Sequence, residues 1–311
     1  MMRLLLVFVF CMLAGAAEAA PYYNSSEAGC DGSDTNVAFC DDFEDGVWYA
    51  TDCDTSGGRT NAANDGWCGS VWSNPITPAN AILCGAGVTP FGNCAANGGF
   101  HDGSEGERNM ASRYFKTASC GTDASQECEV TTLYVRYYVK WESGYEFGAE
   151  KHINFTNDEG DIAFANIQIN CGSDNRSSTG DLSIQVIHGE DMCDPIGFEF
   201  ESGKWYFVEM RVTAHASNGI IQVWINDCGV NGTTCGASPT LRYNQSGLQL
   251  PGNSNGSQIS LIWFESWANP GSLGTGPYWD QAKASIVGPI GFAGQEQEQQ
   301  PEASTLKPAM L

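Results

Sequence analysis

Leu133–Trp141 reads LYVRYYVKW, and its alternation decides the fold. Leu133, Val135, Tyr137, Val139 and Trp141 fall on one side of an extended chain, and Tyr134, Arg136, Tyr138 and Lys140 on the other. A period of two is the mark of a strand with one dry face. The same period recurs at 165–169, 182–188, 206–212, 221–225 and 261–267. Turn formers separate the runs, at Asn157-Asp158-Glu159-Gly160, Ser202-Gly203 and Ser217-Asn218-Gly219. No long stretch shows the i, i+3, i+4, i+7 spacing of a helix. Many strands, frequent turns and almost no helix predict an all-β jelly-roll sandwich of two antiparallel sheets.

Around that body the chain reads as one domain, 21–293, of the 311 residues. A hydrophobic content of 42% is enough for a real core. The region 45–105 is rich in Gly, Asn, Asp and Cys and reads as long loops. The tail 294–311 lacks aromatic residues and strand pattern and is expected to be disordered. Residues 1–20, MMRLLLVFVFCMLAGAAEAA, begin basic at Arg3, run apolar from Leu4 to Leu13 and end in Ala17-Glu18-Ala19. This is the pattern of a secretory signal peptide, too short to span a membrane. Its removal takes Cys11 and leaves twelve of the thirteen cysteines. An even count in an exported, extracellular chain reads as a disulfide framework. Spacing suggests Cys30 with Cys40, Cys120 with Cys128, Cys171 with Cys193 and Cys228 with Cys235, while Cys53, Cys68, Cys84 and Cys94 staple the loops. Each such bridge stabilises by roughly 2–3 kcal/mol in the chain-entropy picture.

The formal charge is −23, from 14 basic and 37 acidic residues. Such a surface repels phosphate backbones and argues against nucleic acid as a partner, and equally against a polybasic membrane contact. Solubility or a saline habitat is the plainer reading of this charge, and a specific cationic partner is the alternative. Six Asn-x-Ser/Thr sequons occur, at Asn24, Asn154, Asn175, Asn231, Asn244 and Asn255, and mark glycan sites if the source is eukaryotic.

Three segments, VAFCDDFEDG (37–46), GKWYFVEMRVTAHASNGIIQVWIND (203–227) and YWDQAKASIVGPIGF (278–292), come in an order that resembles the concanavalin A-like jelly-roll superfamily. In style they are similar to its secreted polysaccharide-lyase-type members, glucuronan-lyase-like and alginate-lyase-like, and to fungal cellulose-induced secreted proteins. The resemblance implies a structural calcium between the first and last strands, held here by Glu44 and Asp280. Calcium favours several hard oxygen ligands at once, so carboxylates joined by carbonyls suit it. Solvated turn acids are the plainer reading of the same residues.

The polar row of LYVRYYVKW mixes two phenols, a guanidinium and an amine, about 7 Å apart along the strand. Phenol and indole faces stack on sugar rings, and Arg grips a carboxylate with two parallel hydrogen bonds. Tyr134, Lys140 and Trp224 are therefore candidate substrate-binding residues. β-Elimination of a uronate needs the carboxylate neutralised, a base for the C5 proton and an acid for the leaving oxygen. Arg136 and Gln168 are candidates for the first role, His152 or Lys151 for the second, Tyr138 for the third. Each has a structural alternative: a surface ion pair for Arg136, a sheet hydrogen bond for His152, cover for the sheet by Tyr138. The alginate-lyase-like pattern carries Gln-Ile-His. Here Gln168-Ile169 is followed by Asn170, so His152 or His188 must stand in.

A glycoside hydrolase needs two carboxyl groups flanking one bond. The Glu-x-Asp-x-x-Glu strand of the superfamily's hydrolases is absent, and the nearest acids are Glu199, Glu201, Glu209 and Glu265. There is no GxSxG, HExxH, P-loop or dinucleotide fingerprint. Three readings follow. The first is a secreted polysaccharide lyase acting on a uronate polymer. The second is a non-catalytic binder that stacks sugars on Trp224, Trp263, Trp267, Trp67 or Trp72, with core packing the plainer reading for Trp263 and Trp267. The third is a durable surface protein. The local basic row of Arg136, Lys140 and Lys151 tips the balance towards the first.

Overall fold

The computed structural model describes residues 23–27, 29–31, 33–44, 67–69, 82–85, 89–103, 107–114, 130–156, 163–173, 175–186, 193–250, 259, 261–268 and 271–293. The signal segment 1–20, the tail 294–311, most of the loop region, Cys53, Cys120, Cys128, His188, Trp72 and Asn255 lie outside the described residues. So do the side chains of Asn24, Trp67, Cys68, Glu265 and Trp267.

The strands are β1 (Tyr23–Asn24), β2 (Val37–Asp41), β3 (Trp67–Gly69), β4 (Ile82–Cys84), β5 (Cys94–Asn97), β6 (Phe100–Asp102), β7 (Glu107–Tyr114), β8 (Thr132–Lys140) and β9 (Glu150–Thr156). They continue as β10 (Ala163–Ile169), β11 (Thr179–Gln185), β12 (Asp194–Glu201), β13 (Trp205–Thr213), β14 (His215–Gly229), β15 (Leu241–Leu250), β16 (Leu261–Ala268), β17 (Leu273–Thr275) and β18 (Tyr278–Ser285). A broad sheet of nine strands runs β1-β2-β18-β8-β13-β14-β15, with β4 and β5 attached through β18. A narrow sheet of seven runs β12-β11-β10-β9-β16-β7-β3, and β6 pairs with β17 apart from both. All pairs are antiparallel except the short β1–β2 contact. The result is the two-sheet sandwich that the alternation predicts. Among the described residues no helix is long and apolar enough to cross a membrane.

β8 sits between β18 and β13 in the broad sheet. Its Leu133, Val135, Tyr137 and Val139, with Trp141 just beyond, face the narrow sheet's Ile153, Phe155, Ala165, Ile167, Ile169, Leu182, Ile184, Ile262 and Phe264 in one core. Burying each large member contributes roughly 1.5–3 kcal/mol. The opposite side of the broad sheet carries a second, smaller core of Ala95, Tyr138, Trp205, Phe207, Cys228 and Phe292. The sandwich is seamed along one side, where the Tyr243 hydroxyl donates to Asp194 at 2.8 Å and the Arg242 guanidinium covers Phe198.

Disulfides join Cys30–Cys40, Cys171–Cys193 and Cys228–Cys235, as spacing suggests, and Cys84–Cys94 within the loop set. Four bridges among the described residues are the pattern of a chain folded in an oxidising compartment. One turn differs from expectation. Ser217-Asn218-Gly219 lies inside β14, as a bulge against β15 between the pairs His215↔Leu250 and Gly219↔Leu248. The imidazole Nδ1 of His215 accepts from the backbone N–H groups of Ser217 and Asn218, so the local donors are satisfied without ending the strand. Gly219 is required there, because a Cβ would meet Leu250 at 2.7 Å.

Candidate functional site

The polar row of β8 does not face an open trough. Arg136 is only 1% exposed. Its Nη atoms meet both carboxylate oxygens of Glu27, at 3.1 and 2.5 Å, and its Nε donates to the Gln281 carbonyl at 3.1 Å. The Lys283 ammonium completes the set at 3.1 Å from Glu27. Tyr138 is buried under Phe91 and Phe207, and its hydroxyl accepts from the Ala293 N–H at 3.1 Å. Burial pushes that phenol up to about 12. Lys140 stands over the Trp205 ring, and partial burial lowers its ammonium pKa. Tyr134 and Trp224 do come together, with ring centroids 6.5 Å apart, and Arg211 covers the Tyr134 ring. Arg136 thus takes the ion-pair role that was its alternative, but inside the protein. Tyr138 takes its alternative role as cover of the sheet.

His152 lies on the other sheet and on its inner side. It is fully buried among Tyr137, Trp141, Phe200 and Trp279, with neither ring nitrogen hydrogen-bonded. A bulge explains the orientation. The pairs Ile167↔Ile153 and Gln168↔Lys151 leave His152 as the extra residue of β9. Burial drives its pKa down to about 3, so the ring is neutral and dry. The expected quartet of Arg136, Tyr138, His152 and Gln168 is therefore divided between the back of one sheet, the core and the back of the other. Glu209 and Glu265 are likewise divided: Glu209, in the broad sheet, accepts the N–H groups of Ile290 and Gly291, while Glu265 belongs to the narrow sheet.

Glu44 and Asp280 form a separate acidic corner. Asp280 is fully buried, accepts from the Thr89 hydroxyl and takes the Gln281 N–H at 2.7 Å. Burial first, then repulsion from Glu44 and Asp42, raises its pKa to about 8. One oxygen of Glu44 accepts the Asn93 and Cys94 N–H groups at 2.7 and 2.9 Å. The donors are all hard oxygens, which fits calcium. Among the described residues no three His, Cys, Asp or Glu side chains form a metal cluster, so carbonyl oxygens would have to complete the shell.

The outer face of the narrow sheet is different in kind. Its apolar residues point inward, which leaves polar residues in rows across the strands. Trp263, Asn154, Asn166 and Gln185 are successive cross-strand partners on β16, β9, β10 and β11. Lys151, Gln168 and Ser183 make the next row, and Asp181 opposes Glu199 in a third. Gln185 accepts from the amides of both Asn166 and Gln168. Asn166 is 0% and Ser183 6% exposed. Asn166 Oδ1, Ser183 Oγ and Trp263 Nε1 are buried with no hydrogen-bond partner. Of the predicted residues this face gathers Gln168 and Lys151. Asn170, where the lyase-like pattern has His, is committed instead: its amide donates to the Phe147 carbonyl and its oxygen accepts the Asp181 N–H. The sequence reading passed over Asn154, Asn166, Ser183 and Gln185. Their trace was the alternation of amide or hydroxyl with aliphatic residues in ANIQIN and LSIQV.

No family model matches the chain, and no curated protein matches it. Among solved structures, the family 7 alginate lyase A1-II′ in complex with substrate is similar with a TM-score of 0.40 and 12% identity, over 72% of this chain and 94% of that one. The GH131 β-glucanase catalytic domain from Podospora anserina gives 0.38 and 9%, over 70% and 83%. Peanut lectin gives 0.34 and 9%, over 72% and 98%. Likeness at this level assigns no activity.

Proposed function

We propose that this protein binds a polysaccharide along the outer face of the narrow sheet, without turning it over. One observation carries the reading: Asn166 Oδ1, Ser183 Oγ and Trp263 Nε1 are withdrawn from water on one polar face and lack partners. Each such group costs about 1–3 kcal/mol while unpaired. A saccharide brings hydroxyls that both donate and accept, and Trp263 adds an aromatic surface. Binding without turnover is favoured because Arg136 is committed to Glu27 and His152 is inside the sandwich.

A lyase is the second reading, and a specific pairing favours it. Gln168 and Lys151 are cross-strand partners on this face. There Gln168 would hold a uronate carboxylate, neutral Lys151 would take the C5 proton as the C4–O bond breaks, and the resulting ammonium would return that proton to the leaving oxygen. Affinity electrophoresis against glucuronan, alginate, pectate and a neutral glucan, run beside ultraviolet detection of unsaturated product, separates the two. Retardation that is lost in Asn166→Ala and Gln168→Ala, with no product, is expected. Product that disappears in Lys151→Ala supports the lyase. No retardation by any polymer removes both.

Calcium at Asp280 belongs to the same proposal. The support is a buried carboxylate, raised to about 8, beside the Thr89 hydroxyl and the Glu44 and Asp42 carboxylates. Calcium added to chelator-treated protein is expected to raise the melting temperature of the wild type and not of Asp280→Asn. Equal shifts in the two, or none, remove the site.

A further inference from the structure

We infer that the bulge between β11 and β12 is a subsite for the ring of a basic amino sugar, held between Asp181 and Glu199. The inference rests on the saccharide-binding reading above and names the charge its ligand carries. The register is the starting point. Asp181 opposes Glu199, and the next pair is Ser183 with Pro195. Two steps along β11 thus face four along β12, so β12 bows out, with Gly197 in the left-handed region at φ 72°. The parted strands leave a cavity of about 710 Å³ lined by residues that include Asn170, Asp181, Ser183, Gly197, Phe198 and Glu199. That is the size of an organic ligand site, far beyond a bare cation.

The lining chemistry chooses the ligand. Directly opposed residues bring their Cβ atoms within about 4.5–5.5 Å, so the two carboxylates share one mouth. Among the described lining residues there is no Lys, Arg or His to answer them. Ser183 Oγ, unpartnered and buried, stands in the same cavity. A uronate would be repelled here, and a neutral ring would leave both charges unanswered. An ammonium-bearing sugar supplies the missing cation, with charge-assisted hydrogen bonds to both acids and a hydroxyl for Ser183. Both carboxylates stand in the same exposed setting, whereas hydrolysis needs two unlike ones, so the site binds. The Cys171–Cys193 bridge fixes the rim.

Titration calorimetry with a fully deacetylated glucosamine oligomer, its N-acetylated counterpart and a glucuronate oligomer tests this. The wild type should bind the glucosamine oligomer at least about tenfold tighter than the acetylated one, a preference that weakens with salt. The preference should vanish in Asp181→Asn/Glu199→Gln and persist in Glu142→Gln/Glu146→Gln, which removes the same charge elsewhere on the surface. Near-ultraviolet circular dichroism verifies the fold of each variant. Equal affinities in the wild type, an unchanged Asp181→Asn/Glu199→Gln protein, or equal loss in the control variant overturns the subsite. If a neutral or anionic polymer is still bound through Asn166 and Gln168, only the subsite falls. If no saccharide of any kind is bound, the wider reading falls with it.

Discussion

Arg136 meets Glu27 through a two-pronged contact and Lys283 adds a second cation to the same carboxylate. Burial alone would raise the Glu27 carboxyl, but the two cations outweigh it and hold it below the usual value. Its stabilisation is therefore present above the ordinary carboxylate range and lost as pH falls through the folded value. Arg136→Ala leaves that carboxylate without its main partner and should cost roughly 3–5 kcal/mol in urea unfolding. Arg136→Lys should recover little, since an ammonium lacks the planar fork. A variant as stable as the wild type would show the triad to be ornamental. His152 makes a different claim. Its folded pKa near 3 lies below the unfolded value of 6.5, so the unfolded chain binds more protons in that window. Stability should fall as pH drops from about 6.5 towards 3, by up to about 1.4 kcal/mol per pH unit. His152→Phe should flatten that limb in part, leaving the share of His101, which burial lowers to about 4. An unchanged slope would place the acid sensitivity elsewhere.

β8 and β13 are flanked by chain on both faces. Their inner residues meet the narrow sheet, and on the outer side Tyr138, Phe207 and Glu209 meet the segment that follows β18 while Arg136 meets Glu27. Glu209 ties that segment down through the N–H groups of Ile290 and Gly291, Tyr138 through that of Ala293, and Phe292 packs on Phe207 with centroids 4.7 Å apart. Phe292 is 5% exposed. Phe292→Ala should cost about 3–5 kcal/mol by denaturant unfolding and hasten proteolysis after β18. A loss under about 1 kcal/mol would mean the segment does not seal the sheet. This roof is why LYVRYYVKW is only half legible. Alternation tells which side of a strand is more polar. It does not tell whether that side meets water or a distant stretch of chain. The ANIQIN and LSIQV runs carry the same ambiguity: Gln168 and Gln185 stay partly exposed, whereas Asn166 and Ser183 are buried.

Over the whole chain the excess of acid gives −23. Self-repulsion of that size opposes the compact state. With a chelator present, the melting temperature should rise as ionic strength goes from about 0.01 M to 0.15 M, where the screening length falls from about 30 to 8 Å. A falling melting temperature would mean that screened attractive pairs outweigh the repulsion. The Glu27–Arg136–Lys283 triad, being mostly buried, should contribute little to either trend. The same surface charge bears on function. A uronate polymer must overcome it, whereas a basic sugar is drawn by it towards Asp181 and Glu199.

The sequence by itself determined the sandwich, the alternation of β8, β10, β11, β13, β14 and β16, and three disulfide pairs. Those features depend on local periodicity and on short separations, such as 10 residues for Cys30–Cys40 and 7 for Cys228–Cys235. Only the tertiary structure decided which polar residues the chain itself covers. Arg136 and Glu27 are 109 residues apart, Tyr138 and Ala293 155, Glu209 and Gly291 82. The bulges that turned His152 inward and opened β11 from β12 arise from how strands pair, and no single strand records its partner's register. Chemistry is written in the residue types, but the side of the sheet on which it acts is set by what folds over it.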